Sequence, residues 1–386
     1  MSSVVLQWPS FGPYHTARLS ACKELAEEGV EVIGLAVAGQ VQGRPWVADK
    51  SLGGVEVITL FPDATYHELN KTDVKLKMMQ TLDSINPDVI GISGYGMNDS
   101  RTALKWCCKN GKTRVLMTES KEDDAPRYWW KELYKRHLVA QFDSAHCGGT
   151  PHRAYLEDLG MKPERIFGRY DVVDNESFKT AADKARSDPS QYSHLPGLSS
   201  IEDTAPYFLV SSRFIERKNL SCLLNAYQAY RRDKASGWRL IILGTGPLED
   251  DLKQQVAAGE IPDVTFAGFH QFDDLVAYYA FAGALIHPAL QEQWGLVVNE
   301  AMACGLPVGV SQTVGASYDL VKDGVNGFRF DPASSASIQE TLSRLSSEGT
   351  DLEKFSRESL DIISEWTPRD FAENFWAAVR ASDRVY

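Results

Sequence analysis

Glu292-Gln-Trp-Gly-Leu-Val-Val-Asn-Glu300 sets two carboxylates on either side of a glycine and an apolar run that continues to Ala303. The run predicts a helix buried on most sides, in which an ionised Glu300 is costly unless a polar group meets it. Gly295 lets a ligand approach the backbone, and the first amides of a helix can donate to phosphate oxygens. The segment therefore predicts either a structural helix with a capping or ion-paired glutamate, or a ligand-binding helix.

Short apolar runs alternate with amphipathic segments on both sides of this stretch, from the start of the chain to about residue 365. Such alternation is typical of parallel sheets with crossover helices. We therefore predict an α/β fold of two doubly wound, Rossmann-like domains facing a cleft. The predicted strands lie near 3–7, 31–37, 88–93, 113–118 and 142–147, and then at 207–211, 238–243, 264–267, 284–287 and 307–311.

The length of 386 residues exceeds that of one ordinary core and fits two domains. We place the first domain at 1–185 and the second at 207–365. Ser-Asp-Pro-Ser and Leu-Pro-Gly between 186 and 206 indicate a linker. The remaining segment, 366–386, is predicted to form a C-terminal helix.

The composition excludes several classes of function. A net charge of −12 argues against broad binding to nucleic acid or anionic lipid. The N-terminus lacks the basic region of a signal peptide, and no apolar run approaches the length of a membrane span. Six cysteines without zinc spacing indicate a reducing, cytoplasmic environment: Cys22, Cys107, Cys108, Cys147, Cys222 and Cys304.

Three further loops of the second half carry residues suited to one ligand. In Ser212–Asn219, Arg213 can bind a diphosphate bidentately and Lys218 adds a point charge, although a solvated basic loop is the alternative. Leu243-Gly-Thr-Gly-Pro247 predicts a tight turn, and it lacks the third glycine of a dinucleotide fingerprint. Phe266-Ala-Gly-Phe-His270 could face a planar base or form an ordinary turn.

Taken in order, these loops resemble the donor half of the retaining family 4 glycosyltransferases of the GT-B fold, also called glycosyl transferases group 1. The ordered set is Ser-Arg-Phe…Arg-Lys-Asn, Gly-Thr-Gly-Pro, Gly-Phe, and His-Pro-Ala…Glu-Gln-Trp-Gly-Leu-Val-Val-Asn-Glu-Ala-Met-Ala-Cys-Gly-Leu-Pro-Val. The strong part of the resemblance covers residues 207–330. It implies that the first domain binds an acceptor, the second a nucleotide sugar, and that the C-terminal helix crosses back to the first domain.

The resemblance also implies roles for individual residues. Arg213 and Lys218 would neutralise the donor diphosphate, Glu300 would bind the ribose hydroxyls, and Glu292 would contact the donor sugar. The full predicted donor-binding set is Arg213, Lys218, Gly244, Gly268, Phe269, Glu292, Trp294, Gly295, Leu296, Val297 and Glu300. No cofactor and no metal are expected, because two cations and a helix N-terminus can stabilise the leaving diphosphate.

The first half departs from the family pattern. Glu119 stands where many relatives have a histidine near the reacting centre, so it is either a catalytic residue that orients the acceptor or one of several loop carboxylates. Gly12, His15 and Arg18 lie in the loop after the first strand and are the other acceptor-side candidates. His15 also suits a helix cap or a packed side chain.

The aromatic and basic segment 127–138 allows two interpretations. It could touch a membrane interface and a lipid-linked acceptor, which would make the protein peripheral to a membrane. The acidic character of the whole chain favours a packed amphipathic helix instead.

The predicted function is transfer of a sugar from a nucleoside-diphosphate-sugar to an acceptor hydroxyl with retention, without a metal. The acceptor would be a sugar, a lipid-linked molecule or a small molecule, in glycan, glycolipid or glycosylated-metabolite synthesis. The alternatives are a sugar-nucleotide epimerase of the same fold, against which the residues after Glu292 argue, and a non-catalytic nucleotide-sugar-binding protein. The sequence leaves the base, the sugar, the acceptor, the linkage and the oligomeric state open.

Overall fold

A computed structural model of the protein describes residues 1–41, 54–199 and 206–382. The strands within these ranges are β1 (Ser3–Trp8), β2 (Glu31–Gln40), β3 (Glu56–Thr65), β4 (Val89–Ser93), β5 (Thr113–Thr118), β6 (Ser144–Cys147), β7 (Ile166–Phe167), β8 (Tyr207–Ser211), β9 (Arg239–Leu243), β10 (Val264–Gly268), β11 (Ala284–His287), β12 (Val308–Ser311) and β13 (Gly327–Phe330).

The α-helices in the same ranges are α1 (Pro13–Glu24), α2 (Lys71–Ile85), α3 (Asn98–Asn110), α4 (Trp129–Val139), α5 (Thr150–Asp158), α6 (Asn175–Ser187), α7 (Leu220–Asp233), α8 (Glu249–Ala258), α9 (Phe272–Phe281), α10 (Leu296–Ala303), α11 (Ser317–Leu320), α12 (Ser335–Leu345), α13 (Leu352–Ile363) and α14 (Pro368–Arg380).

The chain divides into two compact units, Met1–Val173 with Trp366–Tyr386, and Asp174–Glu365. Helix α14 thus groups with the first unit, while the predicted helical residues 383–386 lie outside the described ranges. Helix α6 groups with the second unit, although the sequence placed it in the first domain. The reason is side-chain anchoring just before its end, because Arg186 donates to the carbonyls of Ala280 and Cys304 at 3.1 and 2.6 Å.

The predicted linker 186–206 is only partly described, since residues 200–205 lie outside the described ranges. Its earlier part packs onto the second unit instead of forming an open connection. Tyr192, Leu195 and Leu198 are buried there. Tyr278 Oη donates to the Pro196 carbonyl at 3.1 Å, and Arg239 Nη1 donates to the Gly197 carbonyl at 2.8 Å.

The first unit is built on a parallel sheet whose described strands follow the order β3-β2-β1-β4-β5-β6-β7. Every residue of β1 is buried, as expected for a strand covered by helices on both faces. Helix α14 covers part of one face, where a β-carbon added to Gly91 of β4 would lie 2.9 Å from the Phe375 ring. Trp376 Nε1 also donates to the Cys22 carbonyl of α1 at 3.0 Å.

The second unit has a parallel sheet whose described strands follow the order β10-β9-β8-β11-β12-β13. The strand order reverses between β8 and β11, and ligands of such sheets bind beyond the carboxyl ends of the strands at this switch point. The loops after β8 and β11 therefore meet where a ligand site is expected. They are the loops that carry Lys218 and Glu292.

The sequence missed three strands, β3, β7 and β13. Strand β3 lies at a sheet edge, is partly exposed and contains Pro62, and these features weaken the signal of a buried strand. Strand β7 has two residues, too few for a detectable pattern. Strand β13 forms an edge of the second sheet and has only four residues.

Candidate active site

Lys218 and Glu292 form an ion pair at the switch point of the second sheet. Lys218 ends a 3₁₀ turn, Glu216–Lys218, in the loop after β8, and Glu292 lies in the loop after β11. Lys218 is buried and Glu292 is largely buried, with 11% and 15% of their side chains exposed. Burial lowers the pKa of the Lys218 ammonium, and Glu292 offsets only part of that effect. Burial also opposes ionisation of Glu292, but Lys218, His287 and Arg217 together outweigh it and lower the pKa of this carboxyl.

Arg217 and His287 complete the surroundings of Glu292. Arg217 Nη1 lies 3.6 Å from Glu292 Oε1, and His287 Nε2 lies 3.9 Å from Glu292 Oε2. Burial lowers the pKa of His287 to about 3, so the imidazole is neutral near pH 7. Arg213, in the same loop, is exposed and close enough to lower the pKa of Lys218. With Arg217 and Lys218 beside one carboxylate and Arg213 near Lys218, the site is positive and suits an anionic ligand.

Backbone and amide hydrogen bonds hold the two loops together. The Leu290 amide donates to the Arg217 carbonyl at 2.9 Å, and Asn219 Nδ2 donates to the Pro288 carbonyl at 3.1 Å. Asn219 has a φ of +60°, a left-handed conformation that asparagine tolerates better than most residues. The positions of Lys218 and Glu292 are thus set by the backbone around them as well as by their mutual attraction.

Helix α10 begins at this site. Its N-cap is Gly295, with a φ of +98°, where a β-carbon would lie 3.1 Å from Val314 Cγ1 and 3.4 Å from His287 Nε2. Leu296 and Val297 form the first turn, so their amides lie at the positive end of the helix dipole. The predicted backbone donors at Gly295, Leu296 and Val297 therefore start a helix beside Glu292.

Glu300 is buried in the middle of α10. Tyr279 of α9 donates its hydroxyl to Glu300 Oε2 at 2.7 Å. This contact supplies the polar group that the buried carboxylate requires, within the protein itself.

Trp294, which we predicted to bind the donor, is buried. Its indole Nε1 donates to Asn299 Oδ1 at 2.8 Å, and its carbonyl accepts the Ala316 amide at 3.0 Å. Because the Trp294 side chain is buried, it holds the loop before α10 in place and its ring has no exposed face for a ligand.

The glycine loops after β9 and β10 lie next to the loop after β8. The Gly244 amide donates to the Gly268 carbonyl at 2.7 Å, and the Phe214 amide donates to the Thr245 carbonyl at 2.9 Å. Gly268 has a φ of +82° with open space around it, and Phe269 is exposed beside it. An exposed ring next to an open backbone can accommodate a planar group.

The two glycines of these loops should respond differently to substitution. A β-carbon at Gly244 would lie 1.8 Å from the Ser212 carbonyl oxygen, whereas one at Gly268 would meet nothing within 4 Å. We expect Gly244→Ala to lower the free energy of unfolding by about 2 kcal/mol or more, and the matched control Gly268→Ala by about 1 kcal/mol. Thermal unfolding of both variants measures the difference, and equal losses would contradict the close approach at Gly244.

On the acceptor side, Gly12 and His15 form a helix cap. Gly12 is the N-cap of α1, and its amide donates to His15 Nδ1 at 3.0 Å. The His15 ring also packs against Trp8 and Phe11, with centroids 5.0 and 5.9 Å apart. The capping alternative for His15 is therefore confirmed, and its Nδ1 is engaged within the loop.

Arg18 is buried, which leaves little of its side chain for direct contact with an acceptor or phosphate. Its Nη2 donates to the Val172 carbonyl at 3.1 Å and lies 3.5 Å from Asp171 Oδ1. Half-buried Glu119, at the end of β5, lies next to the same Asp171. Burial, reinforced by Glu119 and partly offset by Arg18, raises the pKa of Asp171 well above its usual range. Arg18 and Glu119, both predicted from the sequence, therefore lie beside the same residue, Asp171, which was not predicted.

No group of three or more His, Cys, Asp or Glu side chains in the described part of the chain is arranged to hold a metal ion. The predicted metal independence concerns the reaction and stays a prediction.

Several residues of the site escaped the sequence analysis. Arg217 was a detectable candidate because it adjoins Lys218 in the basic loop. His287 was visible only as part of the His-Pro-Ala segment. Tyr279 carries no local signal, since only the packing of α9 beside α10 brings it to Glu300.

Comparisons with known proteins show which family and folds the chain resembles. Residues 198–360 match the family described as "Glycosyl transferases group 1". A D-inositol 3-phosphate glycosyltransferase of Frankia alni is 31% identical over 232 residues, covering 58% of this chain and 54% of that protein. The sulfoquinovosyl transferase SQD2 of Arabidopsis thaliana is 29% identical over 190 residues, covering 48% of this chain and 34% of that protein. The chain spans between 34% and 54% of the length of these two relatives.

Solved structures show the fold over the whole chain. Alr3699/HepE of Anabaena, crystallised with UDP and glucose, has a TM-score of 0.69 at 16% identity and covers 98% of this chain and 99% of its own. The predicted fold class is therefore confirmed as a two-domain α/β fold of the GT-B glycosyltransferase type. The family match is confined to residues 198–360, and the likeness to the Anabaena protein over the whole chain concerns the fold.

Proposed function

We propose that the protein is a glycosyltransferase that moves a sugar from a nucleoside-diphosphate-sugar to an acceptor hydroxyl. The observation that carries the proposal is the buried Lys218–Glu292 pair at the switch point of the second sheet, beside the N-terminus of α10. A diphosphate leaving group requires positive charge placed in advance where negative charge develops. Arg213, Lys218 and the helix dipole supply that charge at one place.

In this proposal the bond between the anomeric carbon and the diphosphate oxygen breaks, and its electron pair leaves with the diphosphate. Lys218 and Arg213 stabilise the departing oxygens, Arg213 through its planar fork and Lys218 as a compact charge. The acceptor hydroxyl attacks on the face that the diphosphate leaves, with retention, as the resemblance to family 4 enzymes implies, and its proton passes to the departing diphosphate oxygen. These cations make a metal ion unnecessary for charge compensation.

The other donor contacts follow from the second unit. Glu300 binds the ribose hydroxyls as the resemblance implies, and Glu292 contacts the donor sugar while it holds Lys218 in place. Gly268 and exposed Phe269 accommodate the nucleobase. Gly244 shapes this part of the site through its close contact with the backbone of Ser212.

We propose that the first unit binds the acceptor through Glu119 at the end of β5. Arg18 acts indirectly, because its buried guanidinium lies beside Asp171, which in turn neighbours Glu119. Gly12 and His15 shape the adjoining loop through their cap. The acceptor is a sugar, a lipid-linked molecule or a small molecule with a hydroxyl group.

The first experiment is a thermal-shift panel of UDP-, GDP- and ADP-sugars, with release of the nucleoside diphosphate measured in parallel. UDP-glucose is the first donor to test, because the structurally similar Anabaena protein was crystallised with it. A nucleotide sugar at 100 times its dissociation constant should stabilise the protein by about 2.7 kcal/mol. A nucleoside without the diphosphate serves as the control and should give a much smaller shift.

The outcomes separate the alternatives. A shift together with diphosphate release supports a transferase, and a newly formed glycoside distinguishes transfer from hydrolysis or epimerisation. A shift without turnover across a broad acceptor panel would instead indicate a binding protein. If no nucleotide sugar raises the melting temperature, the donor site is assigned wrongly.

A further inference from the structure

Helix α4 turns its aromatic side chains to solvent. The exposed fractions are 76% for Trp129, 55% for Trp130, 57% for Leu133 and 48% for Tyr134. Their spacing places these residues on one side of the helix, here called the outer face of α4. The packed amphipathic helix favoured by the sequence therefore describes only the end of α4, where Leu138 and Val139 are buried, because the aromatic side chains point away from the protein.

Polar contacts on the inner side hold α4 in this orientation. Lys135 Nζ donates to Glu132 Oε1 at 2.8 Å, and Tyr155 of α5 donates its hydroxyl to Glu132 Oε2 at 2.6 Å. Arg127 Nη1 donates to the same tyrosine hydroxyl at 2.8 Å. These charged side chains form their hydrogen bonds on the side of α4 that faces the protein. Rotating the helix so that the aromatic side chains point inward would break these bonds.

Cations surround the outer face. Lys131 Nζ lies 4.7 Å from the ring centroid of Tyr128 and 5.2 Å from that of Trp130. Exposed Arg136 lies two residues after Tyr134. Between 127 and 137 the basic residues outnumber the single acidic residue, Glu132, although the whole chain has a net charge of −12. This segment is therefore positively charged, although the protein as a whole is negatively charged.

A basic groove adjoins the outer face. It lies between α2 and α3, has a volume of about 400 Å³, and is lined by Lys75, Arg101, Lys105 and Lys109. Its one acidic lining residue, Asp83, accepts a hydrogen bond from Trp106 Nε1 at 2.6 Å. The Arg101 guanidinium carbon lies 5.7 Å from the Tyr134 ring centroid. The groove, hereafter the α2–α3 groove, is therefore continuous with the outer face of α4.

We propose that the outer face of α4 and the α2–α3 groove form a docking surface for a bilayer containing anionic phospholipids. Tryptophan and tyrosine rings favour the headgroup region of a bilayer, where one edge meets water and the other meets hydrocarbon. Lysines and arginines at the same level attract anionic headgroups. A protein partner fits less well, because lysine is depleted at the centre of protein interfaces and four of the flanking cations are lysines.

A membrane-surface role needs no spanning segment. Throughout the described ranges, each helix is too short or too polar to cross a bilayer. The outer face therefore represents a peripheral contact, in which aromatic insertion and charge attraction act together. The inference is independent of the proposed sugar transfer, since binding to lipid is measured without nucleotide.

The test is co-sedimentation of the full-length protein with vesicles of phosphatidylcholine alone and of phosphatidylcholine mixed with phosphatidylglycerol. We expect binding to the mixed vesicles, weaker binding to neutral vesicles, and a decrease as salt is raised. Trp129→Ser/Trp130→Ser/Leu133→Ser should lower the partition coefficient about tenfold or more. Near-ultraviolet circular dichroism checks that this variant is folded.

A matched pair of single substitutions keeps the test decisive if the triple variant is unstable. Tyr134 and Tyr318 are 48% and 52% exposed, and Tyr318 lies in the second unit. Tyr134→Ser should weaken vesicle binding, whereas Tyr318→Ser should leave it unchanged. Equal effects of the two would overturn the assignment of the surface to α4.

The groove is tested by charge reversal. Lys105→Glu/Lys109→Glu should weaken binding to anionic vesicles by about fivefold or more for each cation removed. Lys184→Glu/Lys322→Glu changes the net charge equally on exposed residues of the second unit and should have a much smaller effect. Wild-type protein that does not bind the anionic vesicles, or that dimerises through the outer face without binding lipid, would overturn the proposal.

Discussion

Lys218→Met is expected to lower kcat for sugar transfer by about a hundredfold or more, the usual cost of losing one preorganised charge at a developing anion. Lys218 is buried beside Glu292 at the switch point, so water cannot easily replace its charge. Its loss removes stabilisation of the leaving diphosphate, and for that reason kcat should fall more than donor affinity. Steady-state release of nucleoside diphosphate from the donor found in the panel measures the effect.

A second variant separates catalysis from stability. Lys218→Met alone leaves Glu292 buried without its main cation, and breaking a buried pair costs about 3 kcal/mol or more. The double variant Lys218→Met/Glu292→Gln removes the charges of both partners and should recover much of the lost thermal stability. Turnover should stay low in the double variant. If turnover returns together with stability, Lys218 has no direct part in the reaction.

Glu300→Gln is expected to weaken binding of the nucleotide sugar by about tenfold to a hundredfold. An amide of the same shape can still accept the Tyr279 hydroxyl, so the helix should keep its packing. It loses the charge that strengthens hydrogen bonds to two ribose hydroxyls. Isothermal calorimetry with the nucleoside diphosphate and with the nucleotide sugar measures the change.

Tyr279→Phe provides the matched control for this prediction. It removes one hydrogen-bond donor to Glu300 but leaves the carboxylate in place. We expect a loss of stability of about 1 kcal/mol and a much smaller change in donor affinity. A Glu300→Gln variant that binds the donor as tightly as the wild type would remove Glu300 from the donor site.

Much of the fold could be read from local patterns. Predicted strands at 207–211 and 284–287 coincide with β8 and β11, because buried parallel strands form continuous apolar runs. Edge strands such as β3 were lost, since half-exposed residues and Pro62 resemble a loop. The strand order could not be read, although it decides that the loops after β8 and β11 are neighbours.

In the candidate site, too, some side chains could be predicted from the sequence and others could not. The motif residues Lys218, Glu292 and Gly295 were found in sequence and lie together in the structure. Trp294 and Arg18 were expected to meet ligands but are buried, because a sequence does not show on which side of a loop a residue points. Tyr279 could not be found, since its contact with Glu300 depends on helix packing alone.

The sequence by itself determined the alternation of strands and helices and the order of the loops that carry charge and glycine. Both are local properties, set by side-chain periodicity and by backbone preferences. Only the tertiary structure decided that Lys218 is paired with Glu292, that Tyr279 meets Glu300, and that α4 turns its aromatic side outward. These depend on residues distant in the chain, because burial and pairing arise only when separate elements pack together.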